Sequence, residues 1–199
     1  MAERLGYMFL DTGAMYRALA LKALRAKASL DDETSLVPLA HTARIEFREE
    51  GRRVLLDGTD VSAEIRTQEV SAAASRVSAH PLVRREMVAR QRELGQEGGV
   101  VLDGRDIGTA VFPDAEVKFY MDADPALRAA RRQRELAAAG IASDLGAIEK
   151  EIRARDHADT TRADSPLTRA PDAVSIDTST LAPDEVVREM MEWVGARTG

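Results

Sequence analysis

Gly99-Val100-Val101-Leu102-Asp103-Gly104-Arg105-Asp106-Ile107-Gly108-Thr109 opens on an apolar run and closes in a turn carrying two more charges beside Asp103. A strand with one wet face alternates apolar and polar side chains, whereas a run without alternation is expected to be covered on both faces. Three other stretches have the same character: Tyr7-Met8-Phe9-Leu10, Val117-Lys118-Phe119-Tyr120-Met121 and Ala173-Val174-Ser175-Ile176-Asp177. Helical spacing of apolar residues predicts helices over 14–28, 33–43, 63–77, 82–94, 125–139, 145–155 and 183–194. Strands of this kind separated by helices imply an α/β fold with a parallel sheet between helical layers. One segment departs from that scheme. Arg44-Ile45-Glu46-Phe47-Arg48 alternates, Glu50-Gly51 can turn, and Arg53-Val54-Leu55-Leu56 returns towards Asp57-Gly58. This predicts a small inserted hairpin, with Asp60-Val61-Ser62 as a third short strand.

The 199 residues suit one domain, or one domain with a small appended lobe. With 44% hydrophobic and 31% charged residues, the chain can bury a core and stay soluble. It has no cysteine, which excludes disulfides and thiolate metal sites. His41, His80 and His157 show no metal-ligand spacing, so no protein-held metal is expected. A net charge of −6 argues against a nucleic-acid polymer as partner. A small phosphate ester needs only a local group of arginines, and such groups are present. Met1-Ala2-Glu3-Arg4-Leu5-Gly6 lacks the apolar run of a signal peptide, and no later stretch could span a bilayer. A cytoplasmic protein without a membrane partner is the expectation.

Four patches hold the polar residues of interest. In Asp11-Thr12-Gly13-Ala14-Met15-Tyr16-Arg17, either Asp11 or Thr12 can cap the following helix. Equally, the cap, the helix N-terminus and Arg17 can surround an anion. In the turn after Leu102, Asp-Gly is ordinary, but Arg105-Asp106 between two glycines lets backbone approach a ligand closely. Arg128, Arg131, Arg132 and Arg134 crowd one helix, and at least two of them read as a solvated face. Arg155-Asp156-His157-Ala158-Asp159-Thr160-Thr161-Arg162 continues to Pro166 as a polar loop at a helix end. That loop is either a solvated connector or a lid that closes arginines over phosphates.

Taken together, these blocks resemble bacterial-type cytidylate kinases, a group of nucleoside monophosphate kinases. The resemblance also rests on Asp57-Gly58-Thr59-Asp60-Val61-Ser62-Ala63-Glu64-Ile65-Arg66 and on Ser71-Ala72-Ala73-Ala74-Ser75-Arg76-Val77, and it runs from about residue 5 to residue 193. The Asp-Val-Ser-x-Glu-Ile-Arg segment with its hairpin is its most specific part. It implies a P-loop NTPase-like α/β domain over 1–199, with a five-stranded parallel sheet and flanking helices. It further implies an inserted nucleoside-monophosphate-binding lobe at about 40–78 and a lid at about 155–169. The implied activity is transfer of the ATP γ-phosphoryl group, with Mg²⁺, to CMP or dCMP, by a monomer. Carried over by position, Ser75, Arg84 and Asp106 would read the cytosine. Arg155 and Asp159 would hold the sugar, and Thr12, Arg17, Arg105 and Arg162 would surround the phosphates. Arg105, Arg155 and Arg162 would be the catalytic arginines. Many relatives have serine where this chain has Thr12, and either hydroxyl can donate. No role follows for Arg128, Arg131 or Arg132.

One part of the family pattern is not met. Such kinases open with a strand, a Gly-x-x-Gly-x-Gly-Lys-Gly-Thr loop and a helix, and no stretch of this chain fits G-x-x-x-x-G-K-[ST]. The chain opens on what resembles the end of that helix, Ala2-Glu3-Arg4-Leu5-Gly6. The expectation is that the first strand and phosphate loop, roughly 20 to 25 residues, are lacking. A chain of this kind should be poorly stable and inactive alone. The alternative expectation is a fragment that binds CMP without turning it over.

Overall fold

The structure is a computed structural model describing residues 1–138 and 140–198. Two compact units, Met1–Phe112 and Pro113–Gly199, divide the chain.

The first unit runs α1 (Ala2–Leu5), β1 (Met8–Asp11), α2 (Thr12–Arg25), α3 (Glu33–Thr42), β2 (Ile45–Arg48), β3 (Arg53–Leu56), β4 (Thr59–Asp60), α4 (Gln68–Val77), α5 (Pro81–Gly95) and β5 (Val100–Asp103). Capping explains several of these boundaries. Asp11 accepts from the Ala14 amide at the start of α2, Asp32 from Thr34 at α3, and Thr67 from Val70 at α4. Pro81, with its fixed φ and no N–H to satisfy, opens α5.

The core is built around α2. Met15, Ala18 and Leu19 of α2 are buried with Leu36, Val70, Val77, Val83 and Met87 from the surrounding helices. Alanines at 14, 18, 73 and 74 keep the facing surfaces of α2 and α4 thin, so the two helices approach closely. Each fully buried leucine, valine or methionine contributes about 1.5–3 kcal/mol.

β1 and β5 pair in parallel, from Met8 opposite Val100 to Asp11 opposite Asp103. This register sets the two strand-ending carboxylates side by side. The inserted hairpin is present as an antiparallel sheet in the order β2-β3-β4, with Ile45 opposite Leu56 and Leu56 opposite Thr59. Its turn lies against the edge of β1. Gly51 has φ +92°, and a Cβ there would overlap the Phe9 carbonyl oxygen, so only glycine serves. Asp60 ties the hairpin's far end. Its Oδ1 accepts from the Ser62 amide at 2.9 Å and hydroxyl at 2.6 Å, and its Oδ2 from Arg53 Nε at 2.8 Å. The Ser62 hydroxyl in turn accepts from the Val54 amide at 2.9 Å. The Asp-Val-Ser sequence thus closes the small sheet.

The second unit runs β6 (Phe119–Asp122), α6 (Pro125–Ala138), α7 (Leu145–Thr161), β7 (Val174–Asp177) and α8 (Pro183–Thr198). β6 and β7 pair in parallel, Phe119 opposite Val174 through Asp122 opposite Asp177. Ala123, Ala129, Ile148, Ala170, Ile176, Val186 and Met190 form its buried apolar set. Ala139, the last residue of the helix predicted over 125–139, lies outside the described residues.

Three expectations need correction. Parallel strands occur as two separate pairs, not as one five-stranded sheet. Those strands are also less covered than an unalternating sequence implies: Met8 is 43% and Met121 55% exposed. A two-stranded pair has no inner strand, so each strand keeps an edge without a strand partner among the described residues. Finally, α7 runs to Thr161 instead of ending near Arg155. Asp144 caps it, Glu149 pairs with Arg153 one turn on, and Thr160 and Thr161 donate to carbonyls of the preceding turn. The polar residues expected to form a loop therefore continue the helix. Among the described residues, no helix is long and apolar enough to cross a membrane.

Hydrogen bonds from Ser62, first from its side chain and then its backbone, together with Arg53, hold the Asp60 carboxyl down at about 2. A depressed folded pKa stabilises above the unfolded value, and that contribution is lost as pH falls towards the folded one. Asp60→Asn is therefore expected to lower the thermal unfolding midpoint at neutral pH. The difference from the parent should shrink between about pH 4 and pH 2. A constant gap across that window would show that Asp60 acts by packing alone.

Candidate functional site

The carboxyl ends of parallel strands, where strand gives way to helix or turn, are where α/β folds hold ligands. In the first unit that place is the end of β1 and β5. Asp11 occupies both the helix cap and an ion pair: Oδ1 accepts from the Ala14 amide at 2.9 Å, and Oδ2 from Arg17 Nη2 at 2.6 Å. Thr12 is 3% exposed, and its hydroxyl donates to the Asp103 carbonyl at 2.7 Å, locking the two strand ends together. Gly104 lies directly over this bond. A Cβ there would strike the Thr12 hydroxyl and come within 2.8 Å of the Ile107 side chain. The flanking glycine therefore admits the Thr12 side chain itself. The Asp103 carboxyl reaches solvent yet is densely surrounded by protein. That desolvation, followed by the Asp11 charge, raises its pKa, while Arg105 and Arg17 oppose the rise.

Beyond this turn, the chain makes a π-helical turn at Ile107–Val111, closed by amides of Thr109, Ala110 and Val111 on the Asp106 carbonyl. Arg92 of α5 clamps the turn through the Ala110 and Val111 carbonyls, at 2.6 and 3.0 Å. Such turns recur at functional sites because they re-aim a side chain. Here the side chain is Asp106, which is buried and ion-paired through Oδ2 with Arg84 Nη2 of α5. Arg84 Nη1 also donates to the Ser78 carbonyl, at 3.2 Å, just beyond α4. Ser75 sits one turn earlier, exposed, with one long bond of 3.5 Å to the Ser71 carbonyl. Of the three expected base readers, Arg84 and Asp106 are joined directly. Ser75 connects to them through the Ser75–Ser78 turn, where the Ser78 hydroxyl donates to its carbonyl.

In the second unit, α7 carries Arg155, Asp159 and the helix-ending Arg162. Arg155 Nε is ion-paired with Asp159 one turn on, at 3.9 Å, and Arg162 Nη1 donates to the same carboxylate at 3.2 Å. Arg162 Nε also donates to the Ser165 carbonyl at 2.7 Å. Arg128, left without a role by the sequence, forms a two-pronged pair with Asp156, at 3.1 and 2.5 Å. This binds α6 to α7, and the Asp156 hydrogen bonds raise the Arg128 pKa. Arg131 donates to the Thr178 carbonyl and hydroxyl, so it too is structural within this unit. Arg132 pairs only with neighbouring Glu135, as a solvated face would.

The family model for cytidylate kinase matches residues 1–196. The chain is 50% identical over 200 residues to the cytidylate kinase of Geobacillus sp. (strain WCH70), covering all of this chain and 89% of that protein. It is 50% identical over 199 residues to that of Syntrophotalea carbinolica, covering 99% and 85%, and 46% identical over 198 residues to that of Ligilactobacillus salivarius, covering 98% and 88%. The chain belongs to the cytidylate kinase family. Because the family match begins at residue 1, it lends no support to a lost opening segment or to an inactive chain.

Sequence reasoning did not single out Asp11 as the partner of Arg17, Asp156 as the partner of Arg128, or Tyr16 beside Arg84. A carboxylate six residues before an arginine, across a helix start, was the available signal for the first. The other two join separate elements and leave no local trace. Gly104→Ala is expected to displace the Thr12 hydroxyl from Asp103 and to cost about 1–3 kcal/mol, as overpacking does. Urea unfolding of the two chains measures it. A loss below about 0.5 kcal/mol would show that this turn relaxes freely.

Proposed function

We propose that the chain binds CMP, or its deoxy form, as phosphoryl acceptor, with MgATP as the donor, giving the diphosphate. The observation that carries this reading is the buried Arg84–Asp106 pair presented by a π-helical turn at the end of a parallel strand. Cytosine offers an amino donor beside two ring acceptors. A carboxylate accepts from the amino group, while an arginine and the Ser75 hydroxyl donate to the acceptors. Uracil reverses the pattern at two positions. A site built of buried hydrogen-bonding groups rejects a mismatched base strongly, because its own groups are left unpaired.

Thr12, Arg17, Arg105 and Arg162 are assigned to the phosphates and Arg155 and Asp159 to the sugar, with Arg105, Arg155 and Arg162 as the catalytic arginines. In this reading residues 40–78 are the nucleotide-binding lobe and 155–169 the lid. Phosphoryl transfer asks for an in-line approach and positive charge on the moving group, with no general base. Arginine suits that task because it stays charged and binds phosphate with two prongs. Lid closure would exclude water and so limit hydrolysis of ATP. Among the described residues, no group of three or more acidic or histidine side chains is placed to hold a metal. Mg²⁺ would accordingly arrive on the ATP phosphates as part of the substrate.

A second reading is binding without turnover, favoured by one fact: no stretch of the 199 residues fits G-x-x-x-x-G-K-[ST]. Two chains distinguish the readings, the 199 residues alone and the same residues joined at Met1 to a strand, such a loop and a helix. Both should bind CMP; transfer by the 199 residues in a coupled assay supports the proposal, whereas transfer only by the extended chain supports the second reading. Full turnover by the 199 residues would overturn the second reading. Failure of both chains to bind CMP would overturn the proposal itself.

Base choice gives a sharper test. Asp106→Asn adds a donor that can meet the O4 of uracil. Its CMP-to-UMP ratio of dissociation constants should narrow by at least about tenfold, roughly 1.4 kcal/mol. If Asp106 only holds Arg84 and the turn, both nucleotides weaken alike and the ratio stays put.

A further inference from the structure

Arg84 is 3% exposed, and three kinds of contact fix it. Nη2 meets the Asp106 carboxylate, Nη1 meets the Ser78 carbonyl, and the guanidinium carbon lies 5.7 Å from the centre of the Tyr16 ring. The first two act in the plane of the group and leave it free to tilt about the line joining them. A ring face against the guanidinium removes that freedom, and the attraction of a cation to an aromatic face is strongest where water is excluded. One atom remains. Arg84 Nε is buried and has no hydrogen-bond partner among the described residues. A buried donor left so is costly, and the plane of the guanidinium decides where its hydrogen points.

The geometry points to Tyr16 as a positioning residue for base recognition. Its ring holds the Arg84 plane so that Nε–H is aimed at an acceptor of the bound base, and it thereby sets discrimination between bases. This rests on the assignment of Arg84 and Asp106 to the base. Tyr16 is well placed to act in this way. It lies on the second turn of α2, one residue before Arg17 and four after Thr12, and its ring packs against the buried core. The helix whose start faces the strand ends therefore also carries the ring that steadies the base-reading arginine.

The test compares the 199-residue chain with Tyr16→Phe and Tyr16→Leu, using CMP and UMP dissociation constants from calorimetry. Leucine keeps an apolar side chain at 16 but removes the ring face. The CMP-to-UMP ratio should fall at least about fivefold in Tyr16→Leu and recover to within about twofold of the parent in Tyr16→Phe. A purely structural role would weaken both nucleotides by the same factor, and an unchanged ratio in Tyr16→Leu overturns the proposal. A second measurement needs no variant at position 16. In the parent chain, the Arg84 Nε–H proton, assigned by its disappearance in Arg84→Lys, should be shifted upfield by the ring and exchange slowly with water. A resonance at the ordinary arginine position also overturns it. Failure of the parent to prefer CMP over UMP would count instead against the base-reading assignment, and it would leave the resonance test of the ring contact standing.

Discussion

A guanidinium and a carboxylate that are both nearly sealed from water have little choice of partner. Arg84 and Asp106, 3% and 8% exposed at their side chains, are in that position. Removing either charge from water costs several kcal/mol, recovered only if the other stays in good geometry. The pair therefore constrains everything attached to it. Asp106 begins the π-helical turn that Arg92 clamps, and Arg84 holds the chain just past α4 through Ser78. Through Tyr16 the pair also touches α2, the helix at the centre of the core. Shifting it would disturb four elements at once. This coupling suits a site that must present a fixed pattern of donors and acceptors.

The same logic, in weaker form, governs the arginines assigned to phosphate. Arg17 is paired with Asp11, and Arg162 with Asp159. Each local carboxylate offsets the charge of its arginine and fixes that side chain. A phosphate then competes with a carboxylate for a guanidinium already in place. It loses less side-chain entropy than it would with a free arginine. The start of α2 is treated alike: Asp11 accepts from the Ala14 amide, and the register of β1 with β5 adds Asp103 beside it.

How much of this was legible depended on how local the cause was. Unalternating runs at 7–10, 99–104, 117–121 and 173–177 fell within two residues of real strands, although only Leu10 and Ile176 of those strands are buried. The hairpin was legible for the opposite reason, its alternation, and Glu50-Gly51 did mark its turn. The end of α7 was not legible. Asp156, Asp159 and two threonines suggest a loop on propensity alone, and only side-chain bonds back along the helix show otherwise. The partnerships of Arg84 with Tyr16 and Arg128 with Asp156 span 68 and 28 positions, so no window of sequence contains them. Resemblance supplied the residues of the site. It supplied neither the Arg162–Asp159 bond nor the bond from Thr12 to Asp103.

A net charge of −6 and a phosphate ligand are compatible for a reason of length scale. At physiological ionic strength, a field decays over about 8 Å. A mononucleotide therefore senses the few guanidinium groups that touch it and little of the remaining surface. A polymer repeats its charge along a whole face and would meet the acidic excess, 34 carboxylates against 28 cations. The bound arginines explain why the local field is not lost in that excess. Their carboxylate partners, Asp11 for Arg17 and Asp159 for Arg162, lie in direct contact and form dipoles of short reach. On the proposed assignment of Arg17 and Arg162 to phosphate, such pairs leave guanidinium charge for a small dianion without any excess of positive charge on the chain.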